Sequence, residues 1–116
     1  EFLIRPQLIK IRTHVGFPQR TNAAFYFKGE IRLGNGDGEN FARIPLDPSI
    51  VTHEVMHGII DMFTGLPFEG EAGSMNEALA DALTAMALET SKMGETAFLK
   101  GEYQRNLEQQ LDYSQR

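Results

Sequence analysis

Two periodicities divide the chain. In its first third, apolar residues alternate with polar ones, as they do along half-buried strands. Over residues 8–15 (LIKIRTHV), Ile9, Ile11, Thr13 and Val15 share a face, with Leu8 off phase and His14 on the polar side, where a solvated residue is expected. Residues 23–33 (AAFYFKGEIRL) carry two further runs, marked by Phe25 and Phe27 and then by Ile31 and Leu33, on either side of Lys28-Gly29-Glu30. Two such runs around a glycine-containing turn predict a β-hairpin. Gly34-Asn35-Gly36-Asp37-Gly38 follows as a loop. It lacks the alternating acidic spacing of an EF-hand, so a turn is expected there and not a calcium site.

From Asp47 the spacing becomes helical. Asp47-Pro48-Ser49 supplies an N-cap and a proline in the first turn, where the missing N–H costs nothing. The helix is expected to reach Thr64, with Gly65 as its stop and Pro67 blocking a restart. Residues 68–73 (FEGEAG) read as a short loop, Ser74 to about Lys92 as a second helix, and 95–113 as a third, weakened by Gly101. Met56, Met62, Met75, Met86 and Met93 fall on or beside the helical apolar stripes and are expected in the core. A small, mostly antiparallel sheet followed by segregated helices is the α+β class, and 116 residues suffice for a single domain spanning 1–116.

Composition narrows the chemistry. The chain has 11 Lys+Arg against 16 Asp+Glu, a net charge of −5, which is unlike the basic footprint of a nucleic-acid binder. No apolar run approaches the length of a membrane span. The absence of Cys removes disulfides, thiolate zinc sites and cysteine nucleophiles, so any metal has to be held by His and carboxylates. The opening EFLIRPQLIK lacks both a Met and a basic-then-apolar leader, so it reads as a cut or processed end and leaves the compartment open.

Those residues converge at His53-Glu54-Val55-Met56-His57. On a helix, residues four apart stack on one face, so His53 and His57 can present two imidazoles to one zinc ion. Glu54, beside the first ligand, is placed to take a proton from a water that the metal activates, and to pass it to a leaving amine. With this chain's composition the pentapeptide arises by chance on the order of once in a hundred such chains, so a third ligand has to decide. The metzincin continuation is absent, because Ile60 and Phe63 stand where Gly and His are required. Glu77, on a second helix packed beside the first, can be that ligand, with Asp81 accepting the far N–H of a ligand His. Ser74-x-x-Glu77 equally fits a capping box, and local sequence leaves the two roles open.

The run HEVMHGIIDMFTGLPFEGEAGSMNEALAD resembles the active-site segment of the thermolysin-like zinc metallopeptidases, of the gluzincin group. In that family the Glu of a G-x-x-N-E-x-x-S/A-D helix follows the second His by 20 residues, as Glu77 follows His57, and Gly73, Asn76 and Asp81 fall in place. Asn35-Gly36-Asp37-Gly38 with Phe41 is similar to the family's loop, and Ala23-Ala24-Phe25-Tyr26 to its substrate-binding edge strand, so the likeness covers roughly 11–90. The resemblance implies one zinc ion held by His53, His57 and Glu77, Glu54 as general base, and Asp81 as partner of a ligand His. It further implies a peptide or protein substrate gripped near Asn22, Ala23 and Ala24, and secretion from the cell.

Four departures qualify it. Phe68 stands where the family has an oxyanion-donating Tyr, and loss of one such donor costs about 2.7–4 kcal/mol of transition-state stabilisation. No His follows His57, so the family's second oxyanion donor, its orienting Asp and a substrate-binding Arg would have to come from a missing C-terminal subdomain or a partner chain. Arg12, Arg32, Arg43, Tyr103 and Tyr113 are conceivable substitutes, each expected instead on the surface. The edge-strand Asn falls on Ala23, with Asn22 one residue early unless a bulge intervenes. Two calcium ligands of the family fall on Ser49 and Leu88, so calcium is not expected at its paired site. Two functions are therefore carried forward: a zinc metallopeptidase, and a zinc-binding module or peptidase subdomain without efficient hydrolysis of its own.

Overall fold

The computed structural model describes residues 11–16 and 20–109. Lys28 and Gly29 both have positive φ, 45° and 82°, the signature of a two-residue type I′ turn whose twist matches the flanking strands. They join β2 (Ala24–Phe27) to β3 (Glu30–Leu33) in the expected hairpin. Strand β1 (Arg12–Val15) pairs in parallel with β3 on its other side, so the sheet runs β1-β3-β2 and is mixed. The expected positions Leu8 and Ile9 lie outside the described residues.

The hairpin's faces differ from the simplest reading of its aromatics. Phe25 and Phe27 sit opposite Arg32 and Glu30 on the outer face and are exposed, whereas Tyr26 joins Ile31 and Leu33 in the core. Thr13 and Val15 pair with the core-facing Ile31 and Leu33, as their phase requires. The helix that covers the sheet lies over β2 and β3, so Val15 on β1 stays 62% exposed. His14 is half-buried, not solvated, with Nε2 3.7 Å from Glu30 Oε1. The 34–38 loop is a turn organised by Asp37, which accepts the main-chain N–H groups of Glu39, Asn40 and Phe41.

A 3₁₀ turn (Ile44–Leu46) leads into α1 (Pro48–Thr64). Asp47 caps it through Ser49 N–H, and Gly65 ends it with φ 63°, both as expected. The second helix, α2 (Gly70–Leu88), begins earlier than Ser74. Ser74 Oγ donates back to Gly70 O, so no capping box forms with Glu77. Gly73 explains the early start: a Cβ there would lie 2.6 Å from the Phe68 main chain, so the first turn tucks against the preceding loop. The helix also ends earlier than Lys92, at Leu88, capped by Glu89 in the left-handed region.

No third helix follows among the described residues, and 110–113 of that expectation lie outside them. Instead β4 (Lys92–Met93) and β5 (Arg105–Asn106) pair antiparallel, and the segment between them folds back onto α1. Asp47 Oδ2 accepts Thr96 and Ala97 N–H, Ser49 Oγ accepts Gly94 N–H, and Ala97 O accepts Ala42 N–H. Ala97 completes the core of Tyr26, Ile31, Leu33 and Ile44. Of the methionines, Met93 is buried, while Met62, Met75 and Met86 lie exposed on the outer helical faces, against expectation. The α+β class holds, as a mixed sheet with two packed helices.

Candidate metal centre

The buried face of α1 is polar where a core helix would be apolar: His53, Glu54 and His57 are each under 10% exposed. Gly58, one residue further, lets the helix approach the sheet, since a Cβ there would lie 2.7 Å from Ile11 Cδ1. Helix α2 packs beside α1 and brings Glu77 to the two histidines. His53 Nε2 stands 2.8 Å from Glu77 Oε2, His57 Nε2 3.0 Å from the same oxygen, and the two Nε2 atoms are 3.1 Å apart.

The opposite ring nitrogens fix what these atoms carry. Asn76, fully buried, donates its amide to Leu66 O at 3.1 Å, which turns its Oδ1 toward His57 Nδ1 at 2.7 Å. That oxygen only accepts, so the His57 proton sits on Nδ1 and its Nε2 presents a lone pair. His53 Nδ1 lies 2.8 Å from Asp81 Oδ1, an ion-pair contact too bent to be a good hydrogen bond, again with a partner that only accepts. His53 and His57 thus each aim Nε2, with the Glu77 carboxylate beside them, at one point. Zinc with bonds of 2.0–2.1 Å would set a tetrahedral edge of about 3.3 Å, close to the spacings present. Two imidazoles and a carboxylate are a zinc donor set, and the residues fit the ion.

The surroundings favour positive charge here. Burial lowers the His53 pKa, but contact with Asp81 and the Glu54 and Glu77 charges outweigh it, and the net direction is upward. Asp81 is itself raised by burial, yet the His53 and Arg105 contacts hold it at about 2. Arg105, on β5, grips both Asp81 oxygens, Nη2 to Oδ1 at 2.6 Å and Nε to Oδ2 at 3.1 Å. Glu54 is pushed up to about 7, first by burial and then by the Glu77 charge, against the pull of His53, Arg105 and the Tyr26 main-chain amide.

A cleft of about 410 Å³ opens beside the cluster. His53, Glu54, Glu77, Asp81 and Arg105 line it together with the apolar Ala24, Phe41, Ile44, Ile50 and Met93. All five residues expected at the centre (His53, Glu54, His57, Glu77 and Asp81) are therefore brought together. Asn22 lines the cleft, but its amide is engaged with Asp37 through Nδ2 and Oδ1. Ala23 accepts Gly34 N–H and Thr21 accepts Gly36 N–H, which continues the β2–β3 register without a bulge. Ala24 lies on the cleft wall through its place on the edge strand.

Phe68 packs its ring 5.6 Å from His57. Of the conceivable substitutes, Arg32 pairs with Glu30 on the outer sheet face, Tyr103 stacks with Lys92, and Arg12 and Arg43 line no part of the cleft. Tyr113 lies outside the described residues. Arg105 is the cleft cation that sequence reasoning missed. Its only signal was its position after α2, and an expected helix over 95–113 concealed the fold-back that delivers it.

Comparison with known proteins agrees with this geometry. The sequence profile of the thermolysin metallopeptidase catalytic domain matches residues 4–61, half of the chain, including His53 and His57. A zinc metalloproteinase of Listeria monocytogenes is 38% identical over 72 residues, 62% of this chain and 14% of that protein. A bacillolysin of Brevibacillus brevis is 33% identical over 76 residues, 66% of this chain and 14% of its own length. The chain thus spans about a seventh of the curated relatives it matches. Among solved structures, the precursor of protealysin, a metalloproteinase from Serratia proteamaculans, superposes with a TM-score of 0.69 at 26% identity, over 80% of this chain and 32% of that one. With the profile, the relatives, the fold and the His-His-Glu cluster in agreement, the chain belongs to the thermolysin metallopeptidase family.

Proposed function

We propose that this chain forms the zinc-binding part of a peptidase that hydrolyses peptide bonds, with residues 1–116 as one metallopeptidase domain or a subdomain of a larger one. The observation that carries the proposal is the convergence of three lone-pair donors beside a buried carboxyl. His53, His57 and Glu77 would hold the ion. Zinc in that position supplies a Lewis acid that polarises a carbonyl and lowers the pKa of water. Glu54, buried beside these residues, would be placed to accept a proton at its carboxylate and return it to a leaving amine. Asn76 and Asp81 hold the ligand rings in one tautomer.

Substrate would enter along β2. In the β2–β3 register, Phe25 and Phe27 make the ladder hydrogen bonds, so the main-chain groups of Ala24 and the Tyr26 carbonyl point to the open edge, where an extended peptide can pair, while the Tyr26 N–H meets the Glu54 carboxyl. Bound zinc measured per chain, with cleavage of a peptide library by wild type and Glu54→Gln, tests the proposal. One equivalent of zinc and cleavage lost in the variant are expected; cleavage that persists in Glu54→Gln sinks it.

One observation favours a second reading. The Glu77 side chain is 64% exposed, so the centre is open on that side. A module that binds zinc but turns over substrate only when another segment closes that side would show stoichiometric zinc and no cleavage.

A further inference from the structure

Tyr26 does more on the edge strand than fill the core. Its ring is 7% exposed and lies against α1 at Gly58, where a Cβ would come within 3.2 Å of Cε2. Phe68 bridges it to the centre, 6.3 Å from the Tyr26 ring and 5.6 Å from that of His57. Packing alone would be served by Phe at this position. The hydroxyl instead donates to Asp61 Oδ2 at 2.9 Å and accepts Gly29 N–H at 2.9 Å. Asp61 lies about one helical turn beyond His57 and about two beyond Glu54 on the same helix. It reaches no member of the metal cluster, and the proposed chemistry does not use it.

We propose that Tyr26 and Asp61 are positioning residues for the peptidase reaction: their hydrogen bond fixes the spacing and tilt of the edge strand relative to the helix that carries His53, Glu54 and His57. The inference rests on the proposed function, with β2 as the substrate strand. At its hydroxyl end Tyr26 ties both the hairpin turn and the far end of α1. Its main-chain amide, on the open edge of β2, faces the Glu54 carboxyl. A peptide paired with β2 inherits whatever spacing these two attachments set. Ångström-scale error in such a spacing costs reaction rate far out of proportion to the stability lost.

The pair makes three distinct demands on a variant series. Tyr26→Phe removes the donor, Asp61→Ala removes the acceptor, and Asp61→Asn keeps an oxygen that can accept the phenol proton. With the zinc-loaded chain, two readouts are needed: kcat and KM on substrates from a blocked dipeptide to an octapeptide, and amide exchange at residue 26. Tyr26→Phe and Asp61→Ala are expected to keep one zinc per chain. On the octapeptide they should lose about tenfold in kcat/KM, mainly through kcat, with little loss on the dipeptide. Exchange at residue 26 should rise about tenfold in both, and Asp61→Asn should restore both readouts. Equal losses at every substrate length, or no rescue by Asp61→Asn, would reduce the pair to a stability element and overturn the inference. A zinc-loaded wild type that cleaves nothing sinks the peptidase reading and this role with it, whereas a cleaving wild type that Tyr26→Phe matches at every length sinks the pair alone.

Discussion

Asp47 Oδ2 receives the Ala97 main-chain N–H at 2.8 Å, across 50 residues of sequence. The carboxylate that starts α1 is therefore also the anchor for the segment that returns after α2. Its other oxygen accepts Ser49 N–H and Oγ–H, and the residue is 1% exposed. Asp47→Ala should cost about 2–4 kcal/mol, combining a lost N-cap with buried N–H groups left unpartnered. Urea unfolding gives the loss, and amide exchange should rise first at Thr96 and Ala97. An intact exchange pattern there would show that the anchor lies elsewhere.

Gly58 is a tighter test of how the helix meets the sheet. Alanine in a helix interior gains up to about 1 kcal/mol over glycine from propensity alone. Here the new Cβ meets the tip of Ile11, which can yield, and the ring of Tyr26, which Asp61 holds in place. Gly58→Ala is expected to destabilise by about 1 kcal/mol net, read as a lower urea midpoint. A stabilised variant would mean that the ring moves freely.

Asn76 and Asp81 each touch one ligand histidine on the nitrogen away from the cluster. Asn76→Ala and Asp81→Asn should each weaken zinc binding by about 10–100-fold, measured by competition with a chromophoric chelator. Unchanged affinity in both would separate these residues from the metal.

Zinc should stabilise the fold in proportion to its occupancy. At free zinc a hundredfold above its dissociation constant the gain is about 2.7 kcal/mol, and a chelator should reverse it. The test is a thermal melt of the wild type beside His53→Ala, which should show no zinc-dependent shift.

Asp37 sets an acid limit. Main-chain N–H bonds from Glu39 and Asn40 hold its carboxyl well below the ordinary 3.8. With the folded pKa depressed, its contribution is present above the unfolded value and is lost as pH falls below about 4 toward the folded one. Asp37→Asn should flatten the fall of the urea midpoint between about pH 5 and pH 2. An unchanged slope would place that acid sensitivity in other groups.

How much of this was legible depended on whether the deciding interaction was local. The hairpin turn at Lys28-Gly29 and the limits of α1 at Asp47 and Gly65 are set by neighbours in sequence, and are legible there. Glu77 is legible only through the resemblance to a family in which a Glu follows the second His by 20 residues; its local sequence fits a ligand and a cap equally well. Ser74 resembles a cap because Ser-x-x-Glu is a cap signal in isolation, but the helix has already begun at Gly70 and the hydroxyl donates back to Gly70 O. The expected third helix does not form because distant partners take its interior N–H groups: Leu99 donates to Asn40 O, Gln104 to Met93 O and Leu107 to Ser91 O. Arg105 stayed hidden because only that fold-back carries it to Asp81.

The triangle of His53 Nε2, His57 Nε2 and Glu77 Oε2 spans two helices that share one clasp. Asn76, on α2, reaches the His57 ring through Oδ1 and the Leu66 carbonyl through its amide, so one side chain ties α1, α2 and the turn between them. A shift that lets α2 slide along α1 therefore disturbs the donor set and the connecting turn together.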